Sequence, residues 1–196
     1  MAGFFDTLDV FTAYNRQEWR DWLAANHASS PGIWLVSYKK GSGKARVSYE
    51  EAVEEALCFG WIDSKPNKLD DNRYKQAFTP RKPKSVWSKL NKTRIERLIA
   101  DGLMTPAGQR CIDIAKENGS WTSLDAIEEL IMPADLAEAL AANPTARQYF
   151  EAFSKSVKKG IYYWIASARR PETRQKRVEE TVRLAAENVK ANQYRP

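Results

Sequence analysis

Two prolines frame the densest run of anion-seeking side chains in the chain, Thr79-Pro80-Arg81-Lys82-Pro83-Lys84-Ser85. Guanidinium is a planar fork matched to carboxylate or phosphate, and ammonium is a compact point charge, so the run supplies both kinds of anion donor. Its prolines lack an N–H and hold the backbone fixed, which excludes regular helix and a central strand. The spacing predicts a rigid basic loop with Ser85 as the cap of the following helix, whose free N–H groups add an anion position. On this reading Arg81, Lys82 and Lys84 reach solvent on one face. Asp63 is placed to orient a basic side chain. Trp61 and Trp87 offer a stacking wall, although core is the simpler role for both, and Asn91 lies one turn beyond Trp87. A second run, Lys39-Lys40-Gly41-Ser42-Gly43-Lys44, makes Lys39 and Lys40 further candidates. Its glycines and lysines can hold an anion through backbone N–H groups and charge. The spacing of a nucleotide-binding P-loop is absent, and a solvated connection is the simpler reading.

Catalytic machinery is not visible. His27 is the only histidine, there is no G-x-S-x-G, and neither a cysteine–histidine pair nor a metal-ligand spacing appears. His27 reads as a helix C-terminal residue with a local hydrogen bond. Glu51, Glu54, Glu55 and Asp63 could do acid–base work only if burial shifted them. No cofactor or metal is implied. The net charge of +6 is unevenly spread. Lys65–Arg97 holds eleven Lys/Arg against three Asp/Glu, and Lys155–Arg177 eight against one, whereas Asp113–Glu138 holds seven acidic residues and one Lys. Such asymmetry attracts anionic small molecules or polyanions. The chain therefore reads as a non-enzymatic binding protein for an anionic partner. The alternatives are a nonspecific nucleic-acid binder, for which no helix-turn-helix, zinc finger or RNP motif is readable, and a small enzyme using Glu/Asp acid–base chemistry.

The elements that must position these residues are legible from caps and periodicity. Ser48 with Glu51 forms a capping box, Ala52, Val53, Ala56 and Leu57 make an apolar stripe, and Gly60 ends the helix. Glu50, Glu51, Glu54 and Glu55 suit the positive end of its dipole. Asn15 and Glu18 cap an earlier helix carrying Trp19, Trp22 and Leu23. Ile33–Tyr38 is apolar on both faces and predicts a central strand covered by helices. Trp61–Ser64 and Arg73–Thr79 are two more strands around a turn-rich Pro66–Asn72. Trp87, Leu90, Arg94, Leu98 and Ile99 form the stripe of the helix after the basic loop, with Gly102 at its end. Thr105-Pro106 opens a helix that Gly119 closes. Beyond Trp121 only helices are expected, at Thr122 or Ser123, Pro133, Pro144, Ser156 and Pro171. The fold class is α+β, a small mostly antiparallel sheet with packed helices followed by an all-helical module. The expected domains are 1–122 and 123–196.

F-G-W-I-D-S at 59–64 and F-T-P-R-K-P-K-S-x-W-S-K-x-N at 78–91 resemble the bacterial YdeI/OmpD-associated proteins, also labelled bacteriocin-protection proteins. The likeness extends to W-x-x-W-L-x-x-N-H, G-I-W-L-V-S-Y-K-K-G-S-G, P-A-D-L-A-E-A-L and W-I-x-x-A-x-R-x-E-T-R-x-K-R. It implies a small helical C-terminal module and a link to porins and antimicrobial-peptide stress. It carries no catalytic residues. No apolar run approaches the ~20 residues of a membrane helix. Met1–Val10 lacks a basic segment and is interrupted by Asp6 and Asp9, so it does not read as a secretory leader. Cys58 and Cys111 read as reduced, buried thiols. The expected location is the cytoplasm, and the sequence assigns no oligomeric state.

Overall fold

The computed structural model describes residues 3–192. Met1 and Ala2, on which part of the leader reading rests, lie outside them. After a 3-10 turn at Phe4–Thr7, the first unit runs through β1 (Val10–Thr12), α1 (Arg16–Asn26), β2 (Ile33–Tyr38) and α2 (Tyr49–Cys58). It continues with β3 (Trp61–Lys68), β4 (Arg73–Pro80), α3 (Lys89–Ala100) and α4 (Pro106–Glu117). The strand order is β1-β2-β4-β3. β1 is parallel to β2 and the other pairings are antiparallel, so the sheet is mostly antiparallel as its spacing predicts. Three residues are too short for an alternation pattern, which is why β1 is invisible in the sequence.

Local chemistry accounts for most element ends. The Asn15 side chain accepts from Glu18 N to start α1, and Ser48 exchanges hydrogen bonds with Glu51 to start α2. Gly60 turns the chain out of α2 at φ 74°, and a Cβ there would lie 2.6 Å from Cys111 Sγ, so both backbone and packing demand glycine. At Gly108 a Cβ would stand 2.3 Å from the Cys58 carbonyl oxygen, which lets α4 press against the end of α2. Trp19, Leu23, Leu35, Leu57, Trp61, Phe78, Trp87, Ile95, Leu98 and Ile112 share one core on the helix-covered side of the sheet. β2 is buried on both faces, but helices cover only one. On the other face Trp34 and Ala77 pack under Leu8 and Phe5 of the N-terminal segment.

Three expectations are corrected. β3 does not stop at Ser64 but continues through Pro66 to Lys68. It is an edge strand, where a missing N–H is tolerated, and a register shift between Asp63 and Pro66 absorbs the proline. The helix after the basic loop is capped by Ser88, which accepts from Asn91 N, and not by Ser85. Ser85 N instead closes a turn onto the Lys82 carbonyl at 2.9 Å. That shift moves Trp87 out of α3 and turns the helix, so Ile95 and Leu98 are inward while Leu90 and Ile99 are exposed.

The second unit, from Ser123 onward, is helical: α5 (Asp125–Glu128), α6 (Ala134–Ala141), α7 (Pro144–Ala152), α8 (Lys155–Ala166) and α9 (Pro171–Ala186). Leu136, Leu140, Phe150, Ile161, Tyr162, Ile165 and Val178 form its core. α8 is capped by Ser154 and starts two residues earlier than Ser156 suggests. α5 has Leu124 at its cap position with no side-chain bond, so neither Thr122 nor Ser123 serves there. No helix of the described residues is long and apolar enough to cross a membrane.

Candidate anion site

Arg81 follows the last residue of β4, and its N–H donates to the Gly60 carbonyl at 2.9 Å, which points the side chain inward rather than to solvent. Only 9% of the residue is exposed. The expectation of three solvent-facing cations is therefore corrected for Arg81 and kept for Lys82 and Lys84, which are exposed. The guanidinium carbon lies 3.5 Å from the centre of the Trp87 ring, so one face rests on the indole. Nη2 donates to the Val86 carbonyl at 2.7 Å. Nε and Nη1 are buried and have no hydrogen-bond partner. Among the described residues no carboxylate forms an ion pair with this group. Burial lowers its pKa to about 10, and the more distant Cys111 and Asp63 only partly oppose that shift.

Arg81 lines a cavity of about 40 Å³ with Lys82, Pro83, Trp87, Cys111 and Ile114. The loop is held open by bonds from α4 and the residues after it. Asn118 Nδ2 donates to the Pro83 carbonyl at 2.8 Å, and Ser120 Oγ donates to the same oxygen at 3.3 Å. Trp87 is braced from behind by Trp121, with ring centres 5.1 Å apart. Cys111 sits at the cavity wall with Sγ 3.8 Å from the Gly60 carbonyl, and burial raises its thiol pKa against the opposing pull of Arg81. The arrangement supplies a desolvated positive charge, unused donors and a stacking wall.

The remaining candidates separate. Trp61 is core and donates from Nε1 to the His27 carbonyl at 3.1 Å. His27 ends α1 with Nδ1 2.9 Å from the Leu23 carbonyl. Asp63 accepts from the Tyr49 hydroxyl at 2.8 Å, and burial followed by that bond pushes the phenol up to about 12. Lys39 Nζ donates to the Asp71 and Asp70 carbonyls at 2.9 and 3.3 Å, tying its loop to the β3–β4 turn. Lys40 is exposed beside it. Asn91 Oδ1 accepts from Arg94 at 3.1 Å within α3. Of the ten candidates, Arg81, Lys82 and Trp87 share the cavity. Cys111 and Ile114 complete it and were not foreseen. Their i, i+3 spacing on α4 puts them on one face, but nothing in sequence ties that face to the loop.

A second polar cluster also lay outside the sequence reading. Glu54 and Glu55 sit in the buried stripe of α2, not on a solvated face. Arg16 Nε and Arg20 Nη1 each reach Glu55 at 2.5 Å, Arg16 Nη1 reaches Glu54 at 3.1 Å, and Arg97 also pairs with Glu54. Burial would lower the pKa of Arg16 and Arg20, but hydrogen bonds and charge from Glu55 raise it. Arg16, Glu54 and Arg97 border an open cleft of about 510 Å³ shared with Glu50, Glu51 and Asp101. Arg16 and Arg97 both pair with Glu54 there, and the carboxylates outnumber the guanidiniums, so the cleft offers no uncompensated positive charge.

A two-unit chain with an uncompensated arginine in the sheet unit and a separate helical module defines the class. The chain belongs to the family described as a domain of unknown function (DUF8412), whose model matches residues 11–111, and residues 129–188 match the model described as Bacteriocin-protection, YdeI or OmpD-Associated. The resemblance to the YdeI/OmpD-associated proteins is thus shown in the helical unit, while F-G-W-I-D-S and the basic loop fall under the first model. No curated protein matches, and no solved structure matches.

Proposed function

We propose that the chain binds a small anion at Arg81, with Trp87 as the stacking floor and Lys82 at the rim. The observation that carries this is a guanidinium nine-tenths buried with two nitrogens left without a partner. A buried charge costs several kcal/mol unless paired and hydrogen-bonded. The indole face and the Val86 carbonyl offset part of that cost, and a bound anion supplies the missing counter-charge and acceptors. Charge-assisted hydrogen bonds of this kind are about twice as strong as neutral ones. The reading is one of binding rather than turnover. The description matched at 129–188 names bacteriocin protection, and in our reading the anion site serves a protein of that stress-linked class.

The test is a proton–nitrogen spectrum that resolves the Arg81 Nε–Hε signal while acetate or phosphate replaces a weakly coordinating anion at constant ionic strength. A saturable shift at that signal, absent from Arg81→Met, is the expected result. Shifts that stay linear with anion concentration, and that appear equally at the Trp87 indole of the variant, would refute the site.

A further inference from the structure

We infer that the Arg81 cavity selects a monocarboxylate carrying an apolar substituent over phosphate or sulfate, an inference that rests on the anion site proposed above. Three features of the cavity carry it. The first is charge. The one buried cation is Arg81, and Lys82 is exposed in solvent. A monoanion brings the buried charge to zero, whereas a dianion leaves one negative charge in a poorly hydrated site, where an unpaired ion is expensive. The second is size. A volume of about 40 Å³ is little more than the ~30 Å³ that one water occupies in the liquid. A planar carboxylate head with two oxygens fits such a space, and a tetrahedral anion needs room and acceptor partners on four corners. The free donors on Nε and Nη1 lie in the plane of a guanidinium seated over Trp87, and each can take a carboxylate oxygen.

The third is the wall. Pro83, Trp87, Cys111 and Ile114 present carbon and sulfur around the guanidinium, and Ile114 is exposed at 41%. A large apolar side chain at the lip of a charged cavity is idle for a free phosphate but covers the first carbons of an aliphatic or aromatic acid. Burial of even two methylenes is worth roughly tenfold in affinity. The same chemistry is offered by a free acid and by the terminal carboxylate of a peptide ending in an apolar residue.

Titrating the full chain with hexanoate, acetate, phosphate, sulfate and hexanol at constant ionic strength, read at the Ile114 methyl and Trp87 indole signals, tests the selection. The expected order is hexanoate at least roughly tenfold tighter than acetate, with phosphate and sulfate weaker still. Hexanol is expected not to saturate. Ile114→Ala is expected to lower hexanoate affinity by a larger factor than acetate affinity, and an equal loss for both would remove Ile114 from the selection. Phosphate or sulfate binding more tightly than hexanoate would overturn the selection and leave the anion site standing. Hexanol binding as well as hexanoate would overturn it as a charge-reading site. If no anion saturates, the site itself fails. A peptide ending in leucine separates the two sources. Binding of its free-carboxylate form at hexanoate affinity points to a chain terminus, weaker binding points to a free acid, and equal binding of the amidated form contradicts both.

Discussion

The sheet unit buries arginine in two opposite ways. Arg16 and Arg20 converge on Glu55, Arg97 joins through Glu54, and the carboxylates are more buried than the cations around them. Arg81 is buried more deeply than any of these arginines and forms no ion pair among the described residues, Asp63 acting on it only at a distance. The first arrangement ties α1 and α3 to α2, and every guanidinium in it reaches a carboxylate, although Arg16 Nη2 is buried without a hydrogen-bond partner. The second is incomplete by itself, although its surroundings are ordered by the Asn118 and Ser120 side chains donating to the Pro83 carbonyl and by Arg81 N donating to the Gly60 carbonyl. Ion-paired charge marks structure, and a buried charge without an ion pair, held in an ordered frame, marks a place for something else.

The sharpest way to break this contrast is to remove an acid from the matched cluster. Glu55→Ala leaves Arg20 without its acid and Arg16 with Glu54 alone beside a buried void, and breaking such a pair costs about 3 kcal/mol. Urea denaturation followed by tryptophan fluorescence measures it well, because six of the seven tryptophans lie in the sheet unit. A loss below about 1 kcal/mol, the range of an exposed ion pair, would make the cluster ornamental.

Arg81→Met should do the reverse. It exchanges an uncompensated charge for an apolar chain of similar reach, so stability in the absence of anion stays level or rises by about 1 kcal/mol. A marked loss would mean that the guanidinium already has the partners it needs. The difference also depends on pH. Because the folded pKa is lowered to about 10, the protonated form carries its full burial cost below that value and sheds it as pH rises toward the ordinary guanidinium value. The advantage of Arg81→Met should therefore hold at pH 8–9, below the cited pKa, and shrink above about pH 10. Titrating groups remote from Arg81 are common to both proteins and cancel, whereas the Cys111 thiol, which Arg81 pulls down, is removed from the comparison by making Cys111→Ala in both.

The smallest effect belongs to the helical unit. Arg174 Nε reaches Asp135 at 2.6 Å with both side chains about one-third exposed, a setting in which removal costs about 0.5 kcal/mol. The hydrogen bond from Arg174, followed by its charge, lowers the pKa of Asp135 despite some burial. That contribution is present above the ordinary aspartate value and lost as pH falls through the lowered one. Amide exchange along α9 should show Arg174→Ala weaker at neutral pH and level with the parent in acid.

Much of this frame is legible in the sequence because caps and turns are local. Asn15, Ser48, Thr105, Pro144 and Pro171 announce their helices by chemistry within three residues. Ser85 misleads for the same reason. It and Ser88 are both good caps, and the choice is made by Arg81 reaching across to the Val86 carbonyl, a bond that depends on the tertiary burial of Trp87. β3 running through Pro66 depends on its being an edge, which no local pattern states. For the site, Arg81, Lys82 and Trp87 were readable as an anion-seeking run, but inward and outward directions were not. A basic run looks the same in sequence whether its arginine is solvated or buried, and Glu54 and Glu55 look like a solvated face until α1 and α3 bring arginines to them.

The most direct test of the account is a linkage experiment on Arg81. Unfolding of the parent and of Arg81→Met is followed with and without hexanoate, or phosphate if that binds more tightly, at a fixed ionic strength. An anion held near one hundred times its dissociation constant stabilises the folded state that binds it by about 2.7 kcal/mol. The account predicts that gain in the parent alone, so that the parent overtakes Arg81→Met only when the anion is present. An equal response from both proteins, or none from either, would contradict it.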